Sequence, residues 1–379
     1  MSSETSRFNI KKIILFVLAA ILLICAVILI LIRTHVIFIG TSVENISYSS
    51  VKDFNSLIST VNLNTDNSDQ VHGTDGYTVR LQNQKIVWSD DSGSIINTGS
   101  YEFNNPIFVS AEDFLCVAEN DGRKIVVYEG TSEKWSADLD GNIYNININK
   151  HGYVCVLREY LGYKSALEVY RPDGTRIFYT CKAYRKIIHA EVSGSDESVF
   201  MSSVSLSDVD VTCYAEWVDM EGNTIKEQEY QGVCMGAFCY DDENAVIVEE
   251  NRIDLFPLDD NSSVIIDDLQ ISDFAFADDK LCVLGQDNAD GNSNLGKTIL
   301  VIDIDGKILD KLIFENYIAG ISAVNNKIGV NFGNICMIVS TGGNIKGGCS
   351  TDRTIQRIIR LDSGKAMAVT EDKGYICDI

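Results

Sequence analysis

From about residue 77 to the C-terminus, apolar and polar residues alternate in short runs, and the runs come in pairs joined by polar turns. Residues 114–130, FLCVAENDGRKIVVYEG, show the unit: two apolar runs flank Asn120, Asp121 and Gly122. Alternation with a period of two predicts a strand with one buried face, and Asn-Asp-Gly supplies the backbone conformations that a tight hairpin requires. A second kind of turn recurs more regularly. It appears as WSDDSGSII at Gly93, VVYEGTSEKW at Gly130, VYRPDGTRIF at Gly174, VDMEGNTIK at Gly222, FPLDDNSSVII near Asp260, IDIDGKIL at Gly306 and VSTGGNIK at Gly343. Successive glycines are 37, 44 and 48 residues apart, then 84 across the glycine-free turn, then 37.

Upstream of each such turn lies another strand pair, as in YNININKHGYVCVLRE and ISDFAFADDKLCVLG. A repeat of about 42 residues holding four short strands, with almost no helical periodicity, is the pattern of a β-propeller blade. The expected fold is therefore all-β, a propeller of eight four-stranded blades, or seven if one unit is degenerate. The last unit, from IQRIIRL to GYICDI, has only three strands, so its outer strand is expected from within residues 45–65, closing the ring with strands from both ends of the chain.

Ile13 to Ile32 is a run of twenty residues without a polar side chain, long enough at ~1.5 Å per residue to cross a hydrocarbon core of ~30 Å. A cleavable signal peptide has a shorter apolar region and a small-residue cleavage site, whereas RTHVIFIG follows here, so the run is read as a retained transmembrane helix. Arg7, Lys11 and Lys12 precede it and only Arg33 follows closely, which places the N-terminus in the cytoplasm and the propeller outside the cell membrane. The expected organisation is a cytoplasmic tail (1–12), a single-pass transmembrane helix (13–32), a linker with the ring-closing strand (33–70) and the propeller (71–379).

Of the chain's net charge of −23, residues 1–35 hold four Lys/Arg and one acid, so the remainder carries −26. Such a surface repels nucleic acid and anionic lipid, which excludes nucleic-acid binding as a function. Against this background, two stretches stand out as basic: Lys182, Arg185, Lys186 and His189 in CKAYRKIIHA, and Arg353, Arg357 and Arg360 in TDRTIQRIIRL. Both lead into the first strand of a blade, so both connectors are expected to open on one face. They are the candidate binding residues, forming a cationic patch at one mouth of the central channel for an anionic ligand or partner. The competing reading is solvated charge paired with the abundant Asp and Glu.

Catalytic and metal signals are weak. There is no GxSxG, CxxC, CxxCH or HExxH, and the four histidines, His35, His72, His151 and His189, read as surface or turn residues. QDNADGNSNLGK (286–297) has the outline of a calcium loop, but it starts with Gln and ends with Lys297 in place of Glu. No metal and no cofactor is expected. Cys116, Cys155 and Cys282 hold the same place in three repeats and are expected as buried thiols in separate blades. Cys181, Cys213, Cys234, Cys239, Cys336, Cys349 and Cys377 stay open to disulfide formation.

DGRKIVVYEGTSEKWSADL (121–139), with its glycine turn, Val/Tyr strand and Trp135 closing the outer strand, resembles the repeat of quinoprotein-like and WD40-like propellers; Trp88 follows the same pattern. The other units depart from it, so the resemblance implies the fold without the quinone. In layout the whole chain is similar to single-pass, membrane-anchored propeller proteins of Gram-positive bacteria, a likeness that brings no activity with it. The expected function is that of an extracytoplasmic binding or scaffold module, with envelope proteins or a cell-surface ligand as partners. The alternative is a surface hydrolase or lyase with carboxylates at the channel.

Overall fold

In the computed structural model, described for residue 26 and for residues 41–49, 55–65 and 71–379 apart from 75, 207–210, 233, 240, 268, 278–279, 286–295, 304 and 363, almost all regular structure is antiparallel β. The apolar run 13–32, apart from residue 26, lies outside the described residues, as does most of the calcium-like stretch 286–297. Among the described residues no helix is long and apolar enough to cross a membrane.

The strands pair with their neighbours in sequence to make seven sheets among the described residues. Five of these have four strands each, and one has five because Thr41–Ile46 adds to the outer strand Ile308–Ile318. The remaining sheet has seven strands, and its centre is the 17-residue strand Ser132–Ile148. The first part of that strand pairs with Gly122–Glu129 and the last part with Val154–Tyr160, with register shifts between Asp138 and Ile143 and between Ile143 and Asn145. One strand therefore serves as the outermost of one four-strand group and the first of the next. At the ends of the chain, Leu57–Asn62 pairs antiparallel with Lys373–Asp378, running from Leu57 opposite Cys377 to Asn62 opposite Lys373.

The first strands of successive groups touch in a closed circuit. His72–Thr74 meets Pro106–Ala111, and contact passes on through the end of Ser132–Ile148 to Lys186–Val192 and Cys234–Cys239. Phe238 and Phe274, with ring centroids 5.2 Å apart, link to Ile271–Ala277. Gly320–Val324 and Arg357–Arg360 follow, and the latter returns to His72–Thr74. These contacts make the fold a β-propeller. The core is divided between successive sheets instead of being gathered in one centre: Leu157, Leu167, Val169 and Phe178 pack against Ile187, Val199 and Met201 of the next group, and Phe200 and Trp217 against Ile247 and Phe256 of the one after. Cys116, Cys155 and Cys282 are free, buried thiols in second strands.

The repeating turn has a local and a long-range cause. In the Gly174 and Gly222 turns the glycine N–H donates to the carbonyl three residues back, Arg171 and Asp219 respectively, and the glycine has φ of 83° and 87°. This is a three-residue hairpin loop ending in a left-handed residue, the conformation that favours glycine. The carboxylate of Asp219 accepts the N–H groups of Glu221 and Asn223, fixing the turn from within. A Cβ at Gly174 would stand 2.9 Å from Trp135, and one at Gly222 2.9 Å from Phe178, each on the outer strand of the preceding group. The turn glycines thus allow the hairpin to form and the next blade to approach closely.

Candidate functional site

The two basic stretches have different surroundings. Lys182 ends the outer strand Arg176–Lys182, and Arg185 sits in the connector before Lys186–Val192. Both side chains turn to the third and fourth strands of the next blade. Lys182 Nζ donates to Glu216 at 2.6 Å, and Arg185 reaches Glu216 at 3.4 Å and both oxygens of Glu227 at 2.9 and 3.2 Å. The Arg185 guanidinium also lies over the Tyr214 ring, 3.4 Å from its centroid. The Glu216 side chain has no exposure; burial pushes its carboxyl above the usual carboxylate range, with Lys182 pulling against that rise. The Arg185 hydrogen bond holds Glu227 below it. Lys186 lies over Tyr144, and His189 contacts Glu191 at 3.2 Å and packs against Phe238. In this stretch the charge of Lys182 and Arg185 is met by carboxylates of the next blade, so these two residues clasp adjacent blades.

The second stretch divides in two. Arg353 is half exposed and pairs with Glu371 at 2.6 Å and Asp372 at 3.8 Å. Arg357 and Arg360 open and close the first strand of the last group, and both line a cavity of about 440 Å³ with His72, Gly73, Ser322, Ala323, Gln356, Ile358 and Ile359. No carboxylate is among these described lining residues. One Arg357 N–H donates to His72 Nε2 at 3.3 Å. Because a guanidinium only donates, that nitrogen must be the unprotonated one. Burial first, and the Arg357 charge second, lower the His72 pKa to about 3. The imidazole also stacks on Phe108 at 5.3 Å. It is thus a neutral acceptor that orients an arginine, correcting its reading as a surface or turn residue. Gly73 runs so close to the carbonyl of Arg360 that a side chain there would collide with backbone.

Carboxylates on first strands have structural partners. Asp273 accepts the N–H of Phe274 and, across to the next blade, that of Ile321 at 2.8 Å. Glu191 likewise accepts the N–H of Cys239 at 3.3 Å. Each ties one first strand to the next. Among the described residues no set of three His, Cys, Asp or Glu side chains is arranged to hold a metal ion. Sequence reasoning missed His72, Gln356 and Glu216 as members of these sites. The partners of His72 and Glu216 lie at the opposite end of the chain and one blade away, beyond the reach of local pattern, whereas Gln356 stands beside Arg357 within the basic stretch itself.

The fold matches solved propellers at low identity. BamB from Moraxella catarrhalis aligns at 10% identity over 86% of this chain and 99% of its own, with a TM-score of 0.54. Sqt1 from Chaetomium thermophilum aligns at 11% over 86% and 99%, with a TM-score of 0.58. BBS1N, solved in complex with ARL6DN, aligns at 11% over 86% and 97%, with a TM-score of 0.51. At such identities the likeness extends to the fold alone. No curated protein matches the sequence. The profile of a family of unknown function, DUF5711, matches residues 48–376, and the chain belongs to that family.

Proposed function

We propose that this protein is a membrane-tethered propeller of eight four-stranded blades that binds an anionic group of an envelope protein or cell-surface ligand. In this reading residues 1–12 lie in the cytoplasm, 13–32 span the cell membrane, 33–70 link the span to the ring and supply its closing strand, and 71–379 form the extracytoplasmic blades. The closed circuit of first strands supports the blade number once Ser132–Ile148 is counted in two groups. The observation that carries the binding function is the cavity lined by Arg357, Arg360, Gln356 and neutral His72, a concave site with two guanidiniums in a chain of net charge −23. The BBS1N propeller was solved with a protein partner, which fits a scaffold role. A hydrolase or lyase would need convergent free acids in the channel, whereas Asp273 and Glu191 are engaged by backbone N–H groups.

The test is thermal unfolding of the full chain with phosphate, citrate or a Glu-rich peptide, alongside proximity crosslinking on intact cells. Stabilisation by an anion, and capture of a recurrent surface partner, are both expected to disappear in Arg357→Glu/Arg360→Glu. Equal responses from wild type and variant would overturn the site. Full protection of the blades from protease added to intact cells would overturn the placement.

A further inference from the structure

Cys336, Cys349 and Cys377 come together at the place where the ring closes. Cys336 lies on the third strand Ile335–Ser340 of the penultimate group and Cys349 on its outer strand Ile345–Ser350, directly opposite in register. Cys377 lies on the third strand Lys373–Asp378 of the last group. All three are buried in one core cluster, each with at most 1% exposure. The Cys349 side chain is close enough to both of the others to interact electrostatically with them. Directly opposed residues of an antiparallel pair have Cα atoms ~4.5–5.5 Å apart, inside the range that a disulfide spans. Cys336 and Cys349 thus meet the geometric requirement for a disulfide in the folded protein.

The surrounding backbone gives the cluster its place in the fold. Ser56, immediately before the closing strand Leu57–Asn62, exchanges two hydrogen bonds with Gly348: its N–H donates to the Gly348 carbonyl and its Oγ accepts the Gly348 N–H, both at 3.0 Å. The Ser56 carbonyl accepts the N–H of Asp378 at 3.0 Å. One residue from the N-terminal side thus joins the chain neighbours of Cys349 and Cys377.

We infer that Cys336, Cys349 and Cys377 are a disulfide-exchange site with Cys349 as the shared sulfur, acting as a covalent latch on the ring seam. The oxidant is an external disulfide, such as that of glutathione or of a dithiol oxidase. A thiolate of the cluster attacks one sulfur of that disulfide and releases one external thiol; a second cluster thiolate then displaces the other. The two cysteines lose two electrons and two protons, and two external thiols are formed. With the bridge at Cys336–Cys349 the link stays within one sheet. Attack of Cys377 on Cys349 moves it to Cys349–Cys377 and frees Cys336 with no net oxidation, joining the penultimate blade to the last. Because the sulfurs are buried, the first step belongs to folding or to an opened seam, and the closed ring then shields the bridge from reductant.

The experiment equilibrates the full-length protein, unfolded and refolded, in glutathione buffers from reducing to oxidising. It is then quenched with acid, alkylated in denaturant, and its disulfide-linked peptides are mapped. Peptides linking Cys349 to Cys336, to Cys377, or to both are expected in oxidising buffer. Cys336→Ser should retain only the Cys349–Cys377 link, Cys377→Ser only Cys336–Cys349, and Cys349→Ser neither. The oxidised wild type should also melt roughly 5 °C or more above the reduced form. Complete alkylation of all three in oxidised wild type, or a dominant Cys336–Cys377 link, would overturn the inference. The wild-type map decides even where a variant fails to fold.

Discussion

The Arg185 and Arg357 clusters are built from the same residue type in equivalent parts of the repeat, yet their neighbours set them to different uses. Arg185 meets Glu216 and Glu227 from the next blade, and with Lys182 it forms a partly buried ion-pair network between blades. Arg357 donates to a neutral imidazole and lines a cavity. In an acidic chain, a cation is most often met by its own carboxylates. At Arg357 the described contact is instead a neutral imidazole, and the guanidinium lines a cavity.

Glu216→Ala is the change that separates the two clusters most sharply. It strips the carboxylate from beneath two cations, and breaking a buried pair from one side should lower stability by about 3 kcal/mol in denaturant unfolding followed by tryptophan fluorescence. A loss below about 1 kcal/mol would mean that the network is no clasp. Arg357→Glu should instead show itself in binding, weakening anion affinity at least tenfold, about 1.4 kcal/mol, by titration calorimetry.

Acid should move the two regions in opposite directions. His72 has its folded pKa lowered to about 3, so its contribution is present above the unfolded value of 6.5 and is lost as pH falls from there towards 3. Glu216 has its folded pKa raised, so its contribution is present below the ordinary carboxylate value and is lost as pH rises through the raised one. Stability measured from pH 7 to 4 should therefore fall less steeply in His72→Gln than in wild type, and more steeply in Glu216→Gln. Matching profiles for the two variants would erase the distinction. The smallest effect belongs to Arg353→Ala, whose half-exposed ion pairs contribute less than about 1 kcal/mol and whose loss should leave anion binding intact.

The repeat was legible because its turns obey local rules. Asp219 fixes its own turn through N–H groups two and four residues on, and Gly222 follows because the next position must be left-handed. The two basic stretches were legible as charge and not as sites. Glu216 is 34 residues from Lys182, one blade further on, and His72 is 285 residues from Arg357. Nothing local to CKAYRKIIHA marks which of the many acids will stand opposite it. The opposed cysteines 336 and 349 were within reach of a register argument once their hairpin at Gly343 was recognised. Cys377 was not, because its approach depends on how the last blade leans on its neighbour.

The pairing of Leu57–Asn62 with Lys373–Asp378 also sets an order in time. Leu57 stands opposite Cys377, so one partner of the seam is made 320 residues (377 − 57) before the other. At ~5–20 residues per second the early strand waits roughly 15 to 60 s, its backbone donors and acceptors unmatched, before the ring can close. Whatever shelters that strand during the interval, whether a transient partner on its own chain or a chaperone, decides whether the nascent protein closes on itself or pairs with another copy.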